Sequence, residues 1–502
     1  MVGSRRYSRA WALVGLAVSI ACAAAQAAAA ASPTGAGTAA ALAALARAGN
    51  DARSLDPDAV QRRYDVARDV EAGLAGVTPS GACRSLYDAL LAVAHGSVGA
   101  AEGVDRPSEP TRLAGERRAT AGLAAARRAR AACPAGIRPA AGPRAEAARQ
   151  PLLAPRDGEA FFGEVRLAVP PGTRRLEIRR RGQLVLRLDD PPARALDLRL
   201  PATSETGRGT LEVTLQGQDG TSRGRAERTW LLPRSAGRSM TRERPDSSLD
   251  ARLARIAAAF PGYAGVYVHH MASGRTAGWN AGARFPAAST VKLGVLAAAL
   301  DRFGPRPEQT TYLQDMQALA AWSSNLAANR LLRALGAGDE ARGTRVVEAT
   351  LRRLGARAST YPGDYRVGTS LSRSPLAPPA VSARTTSAAD LGRMLTVLQA
   401  AAAGDRRAQS SSRLSEHEAR LAIALLLDSE PAGDNAGLFR AWLPPGTPAA
   451  QKHGWISAAR HSAAIVYGRR GPVVVVLLTY RDGLRLGEAR ELGRLMLRAA
   501  LS

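Results

Sequence analysis

From residue 32 to 150 the apolar positions recur every three or four residues, the period of a helix face. Asp56 followed by Pro57 predicts a helix start, because a carboxylate can cap open amides and a first-turn proline forfeits no hydrogen bond. Val60, Tyr64, Ala67, Val70 and Leu74 then share one face, and Thr78-Pro79-Ser80-Gly81 ends the run. A second helix is expected over 82–95 with Leu86, Leu90 and Val93 inward and Gly96 as its stop, and a third over 111–132. The stretch carries no catalytic grouping and reads as a helical spacer or docking module.

The period changes to two over 151–234. Leu176 and Ile178, then Leu184, Leu186 and Leu188, alternate with polar residues around an Arg181-Gly182 turn. Leu196, Leu198 and Leu200 follow, then Leu211, Val213 and Leu215 before a Gln218-Asp219-Gly220 turn. Short alternating runs separated by turn signals predict a small β-sandwich with an arginine-rich, solvated face. Residues 235–248 are polar and aperiodic, which reads as a linker. The remainder, 249–502, opens with an amphipathic helix over 249–260 and a strand over 265–270. It closes with a strand over 472–480 and a helix over 486–501. Strands at both ends with helices between them predict an α/β (α+β) domain, one antiparallel sheet with helices on its faces.

Composition adds a compartment to this picture. Arg5, Arg6 and Arg9 precede an apolar run from Trp11 to Ala25, and small residues follow, so 1–31 reads as an export signal, cleaved or retained as an anchor. An exported chain is extracellular, periplasmic or wall-associated. Its Cys83 and Cys133 can then form one disulfide or stay as two buried thiols; Cys83 starts the second helix and Cys133 ends the third, so an antiparallel hairpin favours the bridge. The formal charge of +26 is spread along the chain with no aromatic-rich basic patch. With export, that excludes nucleic acid as a partner and leaves a weak attraction to wall polymer or another anionic surface. His95, His269, His270, His417 and His461 show no metal-ligand spacing, and the reading calls for neither metal nor cofactor.

The sharpest chemical signal is a scarcity. Among 69 Lys and Arg residues only Lys292 and Lys452 are lysine. Arginine stays protonated, whereas a desolvated lysine amine can release its proton, so a chain that otherwise uses arginine keeps lysine where proton traffic requires it. Ser289 lies three residues before Lys292 at the start of an apolar helix, which places both on one face and lets the amine activate the hydroxyl. Ser323-Ser324-Asn325 supplies a hydroxyl for proton transfer and an amide for substrate or for Lys292. Lys452-His453-Gly454-Trp455 supplies a cation for a carboxylate and a small residue that admits backbone contact.

Ser-x-x-Lys, Ser-x-Asn and Lys-x-Gly in this order resemble the signature of class A β-lactamases and penicillin-binding proteins, over 249–502 and not upstream. Thr385-Thr386-Ser387-Ala388-Ala389-Asp390-Leu391 and Leu443-Pro444-Pro445-Gly446-Thr447 are similar to further segments of that family. The resemblance implies an exported serine hydrolase with Ser289 as acylated nucleophile and Lys292 as its base or relay. It implies Ser323 and Asn325 as proton shuttle and substrate contact, Lys452 as carboxylate holder, and Ser289 and Trp455 N–H groups as oxyanion hole. The implied substrate is a β-lactam or a related wall-peptide amide. A D-alanyl-D-alanine peptidase, or a binding or sensor protein that is acylated without turnover, are the alternatives. Two positions depart from the family: His453 replaces a threonine, and no glutamate lies between Glu348 and Glu416 where a Glu-x-x-Leu-Asn motif is expected. Asp364 is the nearest carboxylate to serve as a deacylation base.

Overall fold

The computed structural model describes residues 43–45, 55–75, 77, 79, 81–106, 108–133, 152–201, 206–220, 222–237, 241–365, 367, 384–429 and 436–502. The export signal expected over 1–31 lies outside them. The chain forms two compact units, the described helices up to Ala132 in one and everything from Leu152 to Ser502 in the other, apart from Val367.

In the first unit α1 (Pro57–Leu74) starts as expected, with the Asp56 carboxylate accepting from Ala59 N–H. The second helix, α2 (Arg84–Asp105), runs ten residues past the predicted end and straight through Gly96. Its glycines are contact points with α3 (Glu109–Ala129) rather than stops. A Cβ on Gly96 would lie 2.4 Å from Ala119 N, and one on Gly115 of α3 would lie 2.3 Å from Ala100 N. Backbones pack directly here, and only glycine leaves the room. The hairpin joins its ends through a Cys83–Cys133 disulfide with Cα atoms 5.0 Å apart.

The second unit begins with eight strands, β1 (Leu152–Ala154), β2 (Ala160–Phe161), β3 (Glu164–Ala168), β4 (Thr173–Arg180), β5 (Gln183–Asp189), β6 (Ala195–Arg199), β7 (Gly207–Gly217) and β8 (Ser222–Leu231). They form a three-stranded sheet, β1-β3-β6, and a five-stranded sheet, β2-β8-β7-β4-β5, mixed because β2 runs parallel to β8. Leu176, Ile178, Leu211, Val213 and Leu215 from one sheet and Val165, Leu167 and Leu196 from the other share one core. The predicted turn is built from Arg181 and Gly182 in left-handed backbone, φ 49° and 77°.

The stretch read as a linker is built into the domain that follows. Ser235 Oγ donates to Gly468 O (2.8 Å), and β9 (Arg244–Pro245) is an edge strand parallel to a later one. Its lack of periodicity reflects shortness: two residues pair, with no room for alternation. Next come α4 (Ser247–Ala258), β10 (Tyr263–His270), β11 (Arg275–Trp279), β12 (Phe285–Pro286), α5 (Lys292–Arg302), α6 (Leu313–Ala321), α7 (Asn325–Leu335) and α8 (Glu340–Arg353). After these lie β13 (Thr385–Thr386), α9 (Ala388–Ala402), α10 (Arg406–Ser412), α11 (Glu416–Leu427), β14 (Ala449–Ile456), β15 (Ala459–Gly468), β16 (Gly471–Tyr480) and α12 (Leu486–Leu501). The six-stranded sheet has the order β14-β15-β16-β10-β11-β9, antiparallel apart from its β11-β9 edge. Helices α4 and α12 cover one face through Leu249, Leu253, Leu492 and Met496 against Val266, Val475 and Leu477, and α9 packs on the other.

The β-sandwich and this domain are one compact unit, not two bodies on a tether. Asp428 accepts from Trp230 Nε1 (2.7 Å) and pairs with Arg208, while His417 stands between Glu159 and Glu308. Among the described residues no helix is long and apolar enough to cross a membrane, and no group of three or more His, Cys, Asp or Glu residues is placed to hold a metal ion.

Candidate active site

Ser289 lies in the turn that leads from β12 into α5. The entry is fixed on both sides. β12 pairs with β13, Ala287 N–H donates to Arg384 O (2.9 Å), and His461 Nε2–H donates to Pro286 O (2.7 Å). The other ring nitrogen of His461 accepts from Thr479 N–H (3.2 Å), so the imidazole is neutral with its proton on Nε2. Burial holds its pKa down at about 4. Ala288, just before Ser289, takes φ +48°, a left-handed conformation unusual for alanine. The amide end of α5 faces this turn, which favours negative charge there.

Lys292 opens α5 and is fully buried. Its Nζ donates to Ser323 O and to Asn325 Oδ1, both at 2.6 Å, and lies 4.2 Å from the ring centroid of Tyr365. Ser323 is held in left-handed backbone at φ +66°, and Ser324 caps α7 through Ala327 N–H at 3.2 Å. That cap starts the helix on Asn325, while the strained turn aims Ser323 inward. Lys452, also fully buried, donates to Ser323 Oγ (2.7 Å) and His453 O (2.9 Å). Burial, reinforced by the charge of Lys292, pushes the Lys452 pKa well below its ordinary value. The structure thus gathers Lys292, Ser323, Asn325 and Lys452 into one network beside Ser289.

Gly454 brings the edge strand β14 against the turn that carries Ser289. A Cβ at this position would lie 2.8 Å from Ser289 N and 2.9 Å from Thr290 N. Trp455 follows at the rim, partly exposed, with the Arg460 guanidinium 5.1 Å from its ring. His453 has its side chain on the opposite face of the strand from Lys452, beside Ser462 across the ladder. It is buried, neither ring nitrogen has a hydrogen-bond partner among the described residues, and burial and the nearby cations keep it neutral.

Sequence reasoning missed Tyr365. Asn329, one turn after Asn325 on α7, clamps its backbone: Asn329 Oδ1 accepts from Tyr365 N–H and Asn329 Nδ2 donates to Tyr365 O, both at 2.7 Å. Tyr365 OH donates to Ala288 O (3.2 Å), and Arg384 stacks on the ring 3.9 Å from its centroid. Asp364, the carboxylate singled out from sequence, is exposed; its N–H is held by Glu340 Oε1 (3.0 Å) and its carbonyl by Arg384 (2.9 Å). The detectable signal was the i, i+4 pair of asparagines, which places Asn325 and Asn329 on one face of a helix.

Among solved structures, PBP-A is similar at 20% identity, covering 52% of this chain and 98% of that one with a TM-score of 0.40. A mutant of PBP-A as its acyl-enzyme complex with penicillin G is similar at 19% identity, with coverages of 52% and 98% and a TM-score of 0.40. A β-lactamase from Desulfarculus baarsii is similar at 23% identity, with coverages of 50% and 97% and a TM-score of 0.40. No curated protein matches the sequence. The model of the β-lactamase enzyme family matches residues 248–306 and 304–500, half of the chain and every residue of the network around Ser289, and the chain belongs to that family.

Proposed function

We propose that this chain is an exported serine hydrolase that is acylated at Ser289 by β-lactams or related wall-peptide amides and releases the acyl group slowly. The observation that carries the reading is the convergence of both lysines on Ser323, Lys292 at its carbonyl and Lys452 at its hydroxyl. Ser289 Oγ attacks the amide carbonyl, and its proton passes to Lys292 in the fraction of chains where that amine is neutral. The new C–O bond forms as the carbonyl oxygen takes up negative charge opposite the Ser289 and Trp455 N–H groups. When the C–N bond breaks, Ser323 passes a proton to the leaving nitrogen and is resupplied by the lysine relay. Lys452 attracts the substrate carboxylate.

Slow release follows from Tyr365. An aromatic ring packs on Lys292 and is pinned by Asn329 and Arg384, and its OH is spent on Ala288 O. Burial raises the phenol to about 12, so it does not act as a base near neutral pH. Intact-protein mass spectrometry after mixing with penicillin G tests both halves. The expected result is one adduct per chain lasting minutes or longer and absent in Ser289→Ala. Rapid multiple-turnover hydrolysis without an adduct overturns slow release, and full labelling of Ser289→Ala overturns the nucleophile.

A further inference from the structure

At the far end of α5, roughly 15 Å along the helix from Lys292 at 1.5 Å per residue, five guanidinium groups surround a cavity of about 260 Å³. Arg302 is the last residue of α5. Arg342, Arg345 and Arg353 form a stripe along α8, and Arg413 follows α10. Asp301 is the one carboxylate in the lining, and it is already shared between Arg353 Nη2 (2.9 Å) and Arg413 Nε (3.6 Å). Among the described residues Arg302, Arg342 and Arg345 have no side-chain hydrogen bond or ion pair. The side chains between the stripe's cations, Val346 and Ala349, are small and apolar and leave the space open.

Arg302, Arg342, Arg345 and Arg413 are exposed, and water screens part of their mutual repulsion, but local charge placement still opposes the cluster. Arg342 and Arg345 are like charges at i, i+3, and Arg342 lies in the first turn of α8, where the helix dipole opposes a cation. Arg413 ends α10 at φ +66°, a cap conformation that glycine adopts without strain. The fold retains an arginine there whose guanidinium reaches Asp301. Burial, with the charges of Arg413 and Arg302, holds Arg353 below its ordinary pKa against the pull of Asp301. Its Nε is buried with no partner among the described residues. Arginine is frequent in this chain, but five arginines among eight lining residues exceed that bias.

We propose that this cavity binds a diphosphate group. Guanidinium forks match phosphoryl oxygens in paired hydrogen bonds, and two linked phosphoryl groups carry enough negative charge to offset five cations and one carboxylate. A monovalent anion leaves most of the repulsion in place. The diphosphate is supplied either free or as the headgroup of a lipid, because the lining offers groups for phosphoryl oxygens and does not distinguish what they are attached to.

Calorimetric titration of the full chain with sodium pyrophosphate at physiological salt tests the site without any penicillin, so it stands or falls apart from the acyl-transfer reading. Binding is expected, at least tenfold tighter than for inorganic phosphate. The Arg345→Gln/Arg413→Gln pair should weaken it tenfold or more, whereas Arg187→Gln/Arg199→Gln, which removes equal charge from the β-sandwich, should change it less than twofold. Asp301→Asn should tighten binding several-fold, an effect of opposite sign that loss of folding does not imitate. Co-sedimentation with vesicles containing a polyprenyl diphosphate, against vesicles containing the monophosphate, distinguishes the sources: selective capture assigns the headgroup, and calorimetric binding without capture assigns the free anion. Equal losses in the two arginine pairs, or no binding in either format, overturn the proposal.

Discussion

Replacing Gly454 by alanine isolates the contact between β14 and the turn that carries Ser289. The added Cβ would sit 2.8 Å from Ser289 N, 2.9 Å from Thr290 N and 3.1 Å from Thr290 Cγ2. Ordinary contact begins near 3.4 Å, so strand and turn must separate by about 0.6 Å. Two of the three opposing atoms are backbone, and the turn is tied to β13 and His461, so the strain cannot be absorbed by a side-chain rotation. A misplacement of ~1 Å at a reacting centre can cost on the order of 100-fold, so ~0.6 Å should slow acylation by on the order of tenfold or more. The accompanying overpacking should lower stability by about 1–3 kcal/mol, leaving the protein folded. The assay is the second-order rate of labelling by a fluorescent penicillin, with a thermal melt in parallel. Gly487→Ala serves as control, because a Cβ there meets nothing within 4 Å. A Gly454→Ala rate within twofold of the parent would refute the proposed geometry of the oxyanion site.

Three further outcomes follow from other parts of the structure. Because the Lys452 pKa is pushed down, its ammonium is present at lower pH and lost as pH rises through the depressed value; the apparent affinity for penicillin should fall on the alkaline side, and Lys452→Arg should flatten that limb in a pH series of labelling rates. His461 is neutral in the fold down to about pH 4 but protonates near 6.5 when unfolded, so its contribution is intact above 6.5 and shrinks by about 3 kcal/mol as pH falls to 4; urea melts should show this acid slope reduced in His461→Gln, and an unchanged slope would refute it. The Cys83–Cys133 bridge closes a loop with a sequence separation of 50, for which loop entropy gives about 4 kcal/mol; Cys83→Ser/Cys133→Ser should loosen the helical unit in hydrogen exchange while leaving Ser289 labelling unchanged, and full protection of α2 and α3 in that variant would contradict the estimate.

How far the sequence could be read depended on whether a feature is local. The two lysines stood out by composition alone, and the fold buries both in the network beside Ser289. Strands β4, β5 and β7 were legible because Leu176, Leu186 and Val213 each belong to a run that alternates with polar residues over lengths that one sheet face can enforce. Gly96 misled for the opposite reason: its role is set by Ala119 on another helix, and nothing adjacent in sequence records that approach. The strand Arg244–Pro245 was hidden because a two-residue edge has no period to display.

Tyr365 belongs to the same class of tertiary facts, and it bears on the chemistry most. A search for a base in this region looks for a carboxylate, and Asp364 is the one the sequence offers. The fold decides between neighbours one residue apart by where the backbone is clamped. Asn329 fixes Tyr365 through both its N–H and its carbonyl, which turns the ring onto Lys292, and Arg384 holds the carbonyls of Gly363 and Asp364 from the other side. The anchoring therefore selects position 365 as the one that addresses the lysine, whatever side chain it carries. If that is the right account, Tyr365→Glu should introduce turnover where Asp364→Glu does not, since only the former delivers a carboxylate to the clamped position. The measurement is the lifetime of the penicillin adduct by intact-protein mass spectrometry. A shortened lifetime in Asp364→Glu with none in Tyr365→Glu would show that the clamp does not choose the catalytic neighbour.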